Sequence, residues 1–241
     1  NTPTVSAFSI DPSTHGFTPL AGQPTPVAGV GRDIAVDPSG KFVYITFLEP
    51  DGVTWAVAGR SRDATSGLLT PMPNSPFVLS GQDSRRIVVT PGNLVLVANF
   101  ATSNISVLTL DPATGTLTPA PGSPVGTGVG PISLAVDPSG KFVFVANQGS
   151  NNVSVFSISG STLTPVAGSP FFGGTNTGAS PTAITVDPSG KFVYVTNGAG
   201  TAAAGSISAF SLNSSTGALT LVPSSPFLGG NGPQSAVVVT P

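Results

Sequence analysis

Arg32 and Asp33 lie in GRDIAVDP at 31–38, and Asp83, Arg85 and Arg86 in DSRRIVVTP at 83–91, two successive stretches in which Arg32 and Arg85 match. The guanidinium groups of Arg32, Arg85 and Arg86 have the planar, always-charged form that grips a carboxylate or phosphate through two parallel hydrogen bonds. Asp33 and Asp83 can neutralise them, and the adjacent pairs Arg32–Asp33 and Asp83–Arg85 are expected to form surface ion pairs of small energetic worth. Glu49 and Asp51, in LEPDG at 48–52, could offer oxygens to a calcium ion, which wants six to eight of them. Two carboxylates in a Pro-Gly loop read more simply as a solvated turn. These seven residues form the candidate ligand-binding set, and no metal site or cofactor is expected.

Catalytic groups are scarce. The only histidine, His15, lies in DPSTHGFTP at 11–19, a turn sequence. A lone histidine in a turn cannot serve the many serines of the chain as a triad base. With no cysteine, thiolate chemistry and disulfides are excluded as well. A carboxylate general base is the one catalytic group left, so no residue is assigned a catalytic role.

Charged residues are 7% of the 241, against roughly 25% in an ordinary soluble domain. A net charge of −2 with three lysines argues against nucleic acid, whose phosphates demand clustered positive charge. No apolar run is long enough to span a membrane, although mean hydropathy is positive, at +0.31. Because the chain starts at Asn1 without a leader, an export signal is expected to have been removed already.

What must position these residues is a repeat. Pro38, Pro91, Pro138, Pro188 and Pro241 close equivalent segments, and DPSGKFV recurs unchanged at 37–43, 137–143 and 187–193. Units of about this length, each with four short strand-like runs, indicate radial β-blades. The first run is IAVD (34–37), IVVT (87–90), LAVD (134–137), ITVD (184–187) or VVVT (237–240). The second is FVYIT (42–46), LVLVAN (94–99), FVFVAN (142–147) or FVYVTN (192–197). The third is VSAFSI (5–10), VTWAV (53–57), ISVLTL (105–110), VSVFSI (153–158) or ISAFSL (207–212). A fourth lies in the tail GTLTPAPGSPV (115–125) and its echoes at 67–77, 161–171 and 217–227. Val, Ile, Phe and Thr between Gly, Pro and Asn favour strands. In DPSG, Asp, Pro and Gly suit a type I turn, which makes it the hairpin between first and second runs. Lys41, Lys141 and Lys191 then follow that turn as solvated residues. Trp55, Tyr44 and Tyr194 sit within strands as packing residues.

Residues 1–241 are expected to form one all-β propeller with units near 32–83, 84–130, 131–180 and 181–233, and a fifth split as 234–241 with 1–31. That split blade has no second run, so a strand from elsewhere is expected to complete it. FVYVTN and FVFVAN, preceded by AVDPSGK and followed by NNVSVFSI, resemble the YVTN repeats of lactonase-like β-propeller proteins. The resemblance implies seven-bladed propellers with the first strand lining a central channel. It places the arginines and Asp33, Asp83, Glu49 and Asp51 at one mouth, with the DPSGK turns and His15 opposite.

Two functions of different classes follow. One is a non-catalytic, exported binding or scaffold module of the bacterial cell envelope, inclined to self-associate because its neutral surface lacks like-charge repulsion. The other is a lactonase-like hydrolase or isomerase of a sugar lactone or small acid, its anion held by Arg32, Arg85 and Arg86. The missing histidine at the mouth favours the first. An amplified or engineered repeat without specific activity would also account for the recurring heptapeptide. The sequons at Asn104, Asn152 and Asn213 are expected to be chance matches.

Overall fold

The computed structural model describes residues 3–171, 180–198, 205–230 and 232–238. Four short strands come first, β1 (Thr4–Val5), β2 (Phe8–Ile10), β3 (Phe17–Pro19) and β4 (Thr25–Pro26), with β1 paired to β4 and β2 to β3. Blade one contains β5 (Val30–Val36), β6 (Phe42–Leu48), β7 (Trp55–Arg62), β8 (Leu69–Pro71) and β9 (Phe77–Val78). Blade two contains β10 (Ser84–Val89), β11 (Leu94–Asn99), β12 (Asn104–Leu110), β13 (Leu117–Pro119) and β14 (Val125–Gly126). In blade three are β15 (Pro131–Val136), β16 (Phe142–Asn147), β17 (Asn152–Ser159) and β18 (Thr162–Pro165). Blade four has β19 (Pro181–Val186), β20 (Phe192–Asn197), β21 (Gly205–Leu212), β22 (Leu219–Leu221) and β23 (Phe227–Gly230). Every pairing is antiparallel, and the first four strands of each complete blade pair in chain order, which is the propeller plan.

The DPSG segments turn as their residues dictate. The amides of Gly40, Gly140 and Gly190 each donate to the Asp carbonyl three residues earlier at 2.9 Å, with glycine φ of 69°, 71° and 68°. The Asp37, Asp137 and Asp187 carboxylates accept the following serine hydroxyls and, at 2.6–2.7 Å, the amides of Phe42, Phe142 and Phe192. For Asp37 and Asp187, burial pushes the carboxyl up, but these donors outweigh it and hold both below the usual value. The Asn that ends the YVTN pattern is also structural. Asn147 is buried and its Nδ2 donates to Asn152 Oδ1 at 2.7 Å and Ser154 Oγ at 2.9 Å, and Asn99 repeats the arrangement on Asn104 and Ser106.

Apolar side chains gather between consecutive sheets. One cluster joins Tyr44, Trp55, Val57 and Met72 of blade one to Ile87, Val95, Leu108 and Leu117 of blade two, and similar clusters join two to three and three to four. Tyr44 is fully buried and donates to the Gly115 carbonyl at 2.8 Å, across a blade boundary.

Three expectations need correction. The GTLTPAPGSPV tail folds as two short strands, both on the third strand of its blade, because the turn between them contains Gly122 at φ 79° and its Ser123 hydroxyl accepts the Val107 amide at 2.9 Å. The same serine bond recurs at Ser75, Ser169 and Ser225. The VTWAV strand begins at Trp55 and runs on to Arg62, since Asp51 turns residues 51–54 by accepting the Val53 and Thr54 amides at 2.9 Å. Finally, Val237 and Val238 stand outside any strand, while residues 239–241 of the expected fifth inner strand lie outside the described residues. A strand needs a partner edge to satisfy its backbone, and no described strand pairs with 232–238. Strands β1–β4 repeat the pairing of the third strand and tail of the blades.

Candidate functional site

All four inner strands carry the same irregularity. The pairing register slips between Gly31 and Asp33, Ser84 and Arg86, Pro131 and Ser133, and Pro181 and Ala183. Arg32, Arg85, Ile132 and Thr182 are thus the extra residues of four equivalent β-bulges, and a bulge re-aims its side chain. All four line one cavity of about 420 Å³, together with Arg86, Ser133, Gln148, Thr185 and Gln234. The guanidinium groups come from blades one and two. Hydroxyls and amides of blades three and four, and of residues 234–235, face them.

The ion pairing crosses blades. Asp83 holds Arg85 at 2.6 Å and lies 3.9 Å from Arg32, while Asp33 lies 3.6 Å from Arg86. The expected Asp83–Arg85 pair forms, whereas the expected Arg32–Asp33 pair does not. Asp33 instead accepts the Ile87 amide of blade two at 2.8 Å, as Ser133 accepts the Ile184 amide of blade four at 3.3 Å. Arg85 is further fixed against the Phe100 ring, 4.9 Å from its centroid, and Arg32 lies 5.6 Å from that of Trp55. Arg85 Nε is buried and lacks a hydrogen-bond partner among the described residues. Three guanidiniums against two carboxylates leave the mouth with an excess of positive charge.

Glu49 and Asp51 do not join this group. Asp51 spends its carboxylate on its own turn, accepting the Thr54 hydroxyl at 2.5 Å, bonds that hold its pKa low. Among the described residues no cluster of three or more His, Asp or Glu side chains could hold a metal ion. His15 is an exposed turn residue at φ 57°, and Lys41, Lys141 and Lys191 are exposed. Tyr44 and Trp55 are buried packing residues and Tyr194 is half-buried. Ser133, Thr182, Gln148 and Gln234 were not legible as one site; aligning the units on Arg32 would have found Thr182 and, one residue on, Ser133.

The family model for lactonases of the seven-bladed β-propeller type matches residues 79–169. None of the curated proteins matches the sequence. Among solved structures, a protein from Bacteroides uniformis assigned as a 6-phosphogluconolactonase aligns over 97% of this chain and 81% of its own, at 18% identity and a TM-score of 0.60. The chain is a β-propeller that resembles the lactonase-like family, whose model matches its residues 79–169. The periplasmic gluconolactonase of Pseudomonas aeruginosa aligns over 90% of the propeller and 77% of its own chain, at 17% identity and a TM-score of 0.59. A Lactobacillus plantarum protein reaches a TM-score of 0.68 at 21% identity, over 93% of the propeller and 64% of its own chain. These likenesses correct the expectation of a non-catalytic scaffold: the matching family model is a lactonase model, and lactonases stand among the structures it resembles. The histidine argument failed because it weighed a missing base above the arginines, whose chemistry the lactonase reading needs.

Proposed function

We propose that the propeller hydrolyses a small, anionic sugar lactone at the mouth of its channel. The observation that carries this is the convergence of Arg32, Arg85 and Arg86 on one wall of a cavity whose other wall offers Ser133, Thr182, Thr185, Gln148 and Gln234. A polyhydroxylated acid needs both halves of that surface. Its anionic group meets the guanidiniums, and its hydroxyls exchange water for side-chain hydroxyls and amides.

Hydrolysis adds water to the lactone carbonyl and expels the ring oxygen. A guanidinium stabilises the negative charge that develops on the carbonyl oxygen, in a recessed site where such stabilisation counts more than in bulk water. Of the two carboxylates held against the arginines, we assign the proton from water to Asp33, which lines the adjoining cleft rather than the cavity itself and lies 3.6 Å from Arg86. One of its oxygens accepts the Ile87 amide at 2.8 Å; the other is 3.6 Å from Arg86, too far for a hydrogen bond, and so keeps its acceptor capacity. The proton passes on to the departing ring oxygen, giving the hydroxy acid.

The test compares hydrolysis of phosphorylated and unphosphorylated gluconolactones after subtraction of the spontaneous rate. Replacing Arg86 by Ala removes the guanidinium least engaged by protein partners. Loss of one charge-assisted hydrogen bond of about 1.5–3 kcal/mol should raise KM by about tenfold or more. Asp33→Asn, which can still accept the Ile87 amide, should lower kcat with little change in KM. Turnover no faster than background for every lactone offered would end this reading.

A further inference from the structure

The bulge residues are set by one backbone device. Two positions before Arg85, Ile132 and Thr182, the carbonyls of Asp83, Gly130 and Ser180 accept the amides of Phe100, Gln148 and Gly198 at 2.8–2.9 Å. These three carbonyl residues are left-handed, at φ 56°, 64° and 71°. In blade one Val30 pairs with Leu48 at the same place. The residue that ends or follows each second strand is thereby brought beside the bulge residue of its own blade. For Arg85 that residue is Phe100; for Thr182 it is Gly198, where an added Cβ would lie 3.3 Å from Thr182 Cγ2.

The three guanidiniums are held unequally. Arg85 donates from Nη2 to Asp83 Oδ2 at 2.6 Å and lies over the Phe100 ring at 4.9 Å. Arg32 is 3.9 Å from Asp83 and 5.6 Å from the Trp55 centroid, and Arg86 is 3.6 Å from Asp33, so neither is gripped as closely. Their side chains are 42% and 50% exposed, against 32% for Arg85. Phe100 is backed in its turn, since a Cβ built on Gly130 would lie 3.0 Å from its Cε2. The ring thus fills the space between Arg85 and the chain entering blade three. It also offsets the cost of the buried Arg85 Nε, which has no hydrogen-bond partner among the described residues. A guanidinium ordered before substrate arrives needs no reorganisation as charge develops beside it.

We propose that Phe100 is a positioning residue: with Asp83 it holds Arg85 in one orientation, and Arg85 is the guanidinium that meets the lactone carbonyl oxygen. Arg32 and Arg86, held less closely, are left to the anionic group. Water adds to the carbonyl carbon, the C=O electron pair moves onto the oxygen that faces Arg85, and that pair returns as the ring C–O bond breaks. The proton leaves water for Asp33 and passes to the ring oxygen. Phe100 touches no reacting atom and acts only through Arg85. The role at the carbonyl oxygen rests on the lactone reading given above, whereas the orientation of Arg85 does not.

The experiment reads orientation and turnover separately, on the whole chain and on Phe100→Leu and Phe100→Met, which keep an apolar side chain but lose the ring face. By NMR, the Arg85 15Nε order parameter, assigned by its disappearance in Arg85→Lys, should be about 0.8 or higher in the parent and below about 0.6 in both variants. Arg32 and Arg86 should be mobile throughout. In hydrolysis of a phosphorylated gluconolactone both variants should lower kcat about tenfold and change KM by less than about twofold. In an Arg85→Lys background Phe100→Leu should cause no further loss, because the residue through which it acts has gone. An Arg85 that stays rigid without the ring, a loss confined to KM, or losses that add in the double variant would overturn the proposal and leave Phe100 as packing. A parent that turns over no lactone would end the role at the carbonyl oxygen together with the lactone reading, while the order parameter would still decide whether Phe100 positions Arg85.

Discussion

Gly115 offers a sharp test of how the blades hold together. It sits in the turn between β12 and β13 at φ 77°, and a Cβ built there would lie 2.6 Å from Phe42 Cδ1 and 2.7 Å from the Met72 sulfur of blade one. Replacing it by alanine therefore incurs two costs. Left-handed backbone strain for a residue with a Cβ is about 1–2 kcal/mol. Overpacking adds about 1–3 kcal/mol, because Phe42 is held in the inter-blade core and cannot simply withdraw. Gly52 is the internal control, with φ 76° and nothing within 4 Å of the added atom. Urea denaturation of Gly115→Ala and Gly52→Ala against the parent separates the two terms, provided the slope of each transition is unchanged. Gly115→Ala should lose about 2–5 kcal/mol and Gly52→Ala about 1–2 kcal/mol. Equal losses would refute the claim that this turn docks tightly on the preceding blade.

Tyr44→Phe removes the donor to the buried Gly115 carbonyl and should destabilise by about 1–3 kcal/mol in the same denaturation assay, less when combined with Gly115→Ala because the two share one contact. Ser123→Ala leaves the Val107 amide without its 2.9 Å acceptor and should cost a similar about 1–3 kcal/mol. The acid limb of stability follows from the turn carboxylates. Asp37 and Asp187 have folded pKa values below the ordinary value, so the unfolded chain binds more protons in that window, and stability present above about pH 4 is lost as pH falls through it. Thermal midpoints measured from pH 6 down to pH 2 should fall for the parent, and fall less for Asp37→Asn, whose midpoint starts lower. A parallel decline in both proteins would contradict this assignment.

Local chemistry made most of the fold legible. The strands FVYVTN and FVFVAN end where the run of β-formers ends, and DPSG turns because its aspartate, proline and glycine satisfy one another within four residues. The split of the fourth run was hidden because it depends on Ser123 reaching an amide 16 residues away. For the site, the arginines could be named from their type and their place in the repeat, while their placing at one mouth was implied only by the family resemblance. The partners of Arg32 and Arg86 could not be read. Of the two local pairs expected, Asp83–Arg85 forms and Arg32–Asp33 does not, because stacking of the blades brings Asp33 to Arg86 and to the Ile87 amide, and Asp83 towards Arg32.

By itself, the sequence determined the repeat, its strands, its turns and the residue types at the channel, all of which follow from interactions over a few residues. Tertiary structure alone decided the bulges that aim Arg32, Arg85, Ile132 and Thr182 inward and the pairing of charges across blades. Each of these depends on which sheet stands beside which, and residues some 50 positions apart in the chain meet only once the blades are stacked.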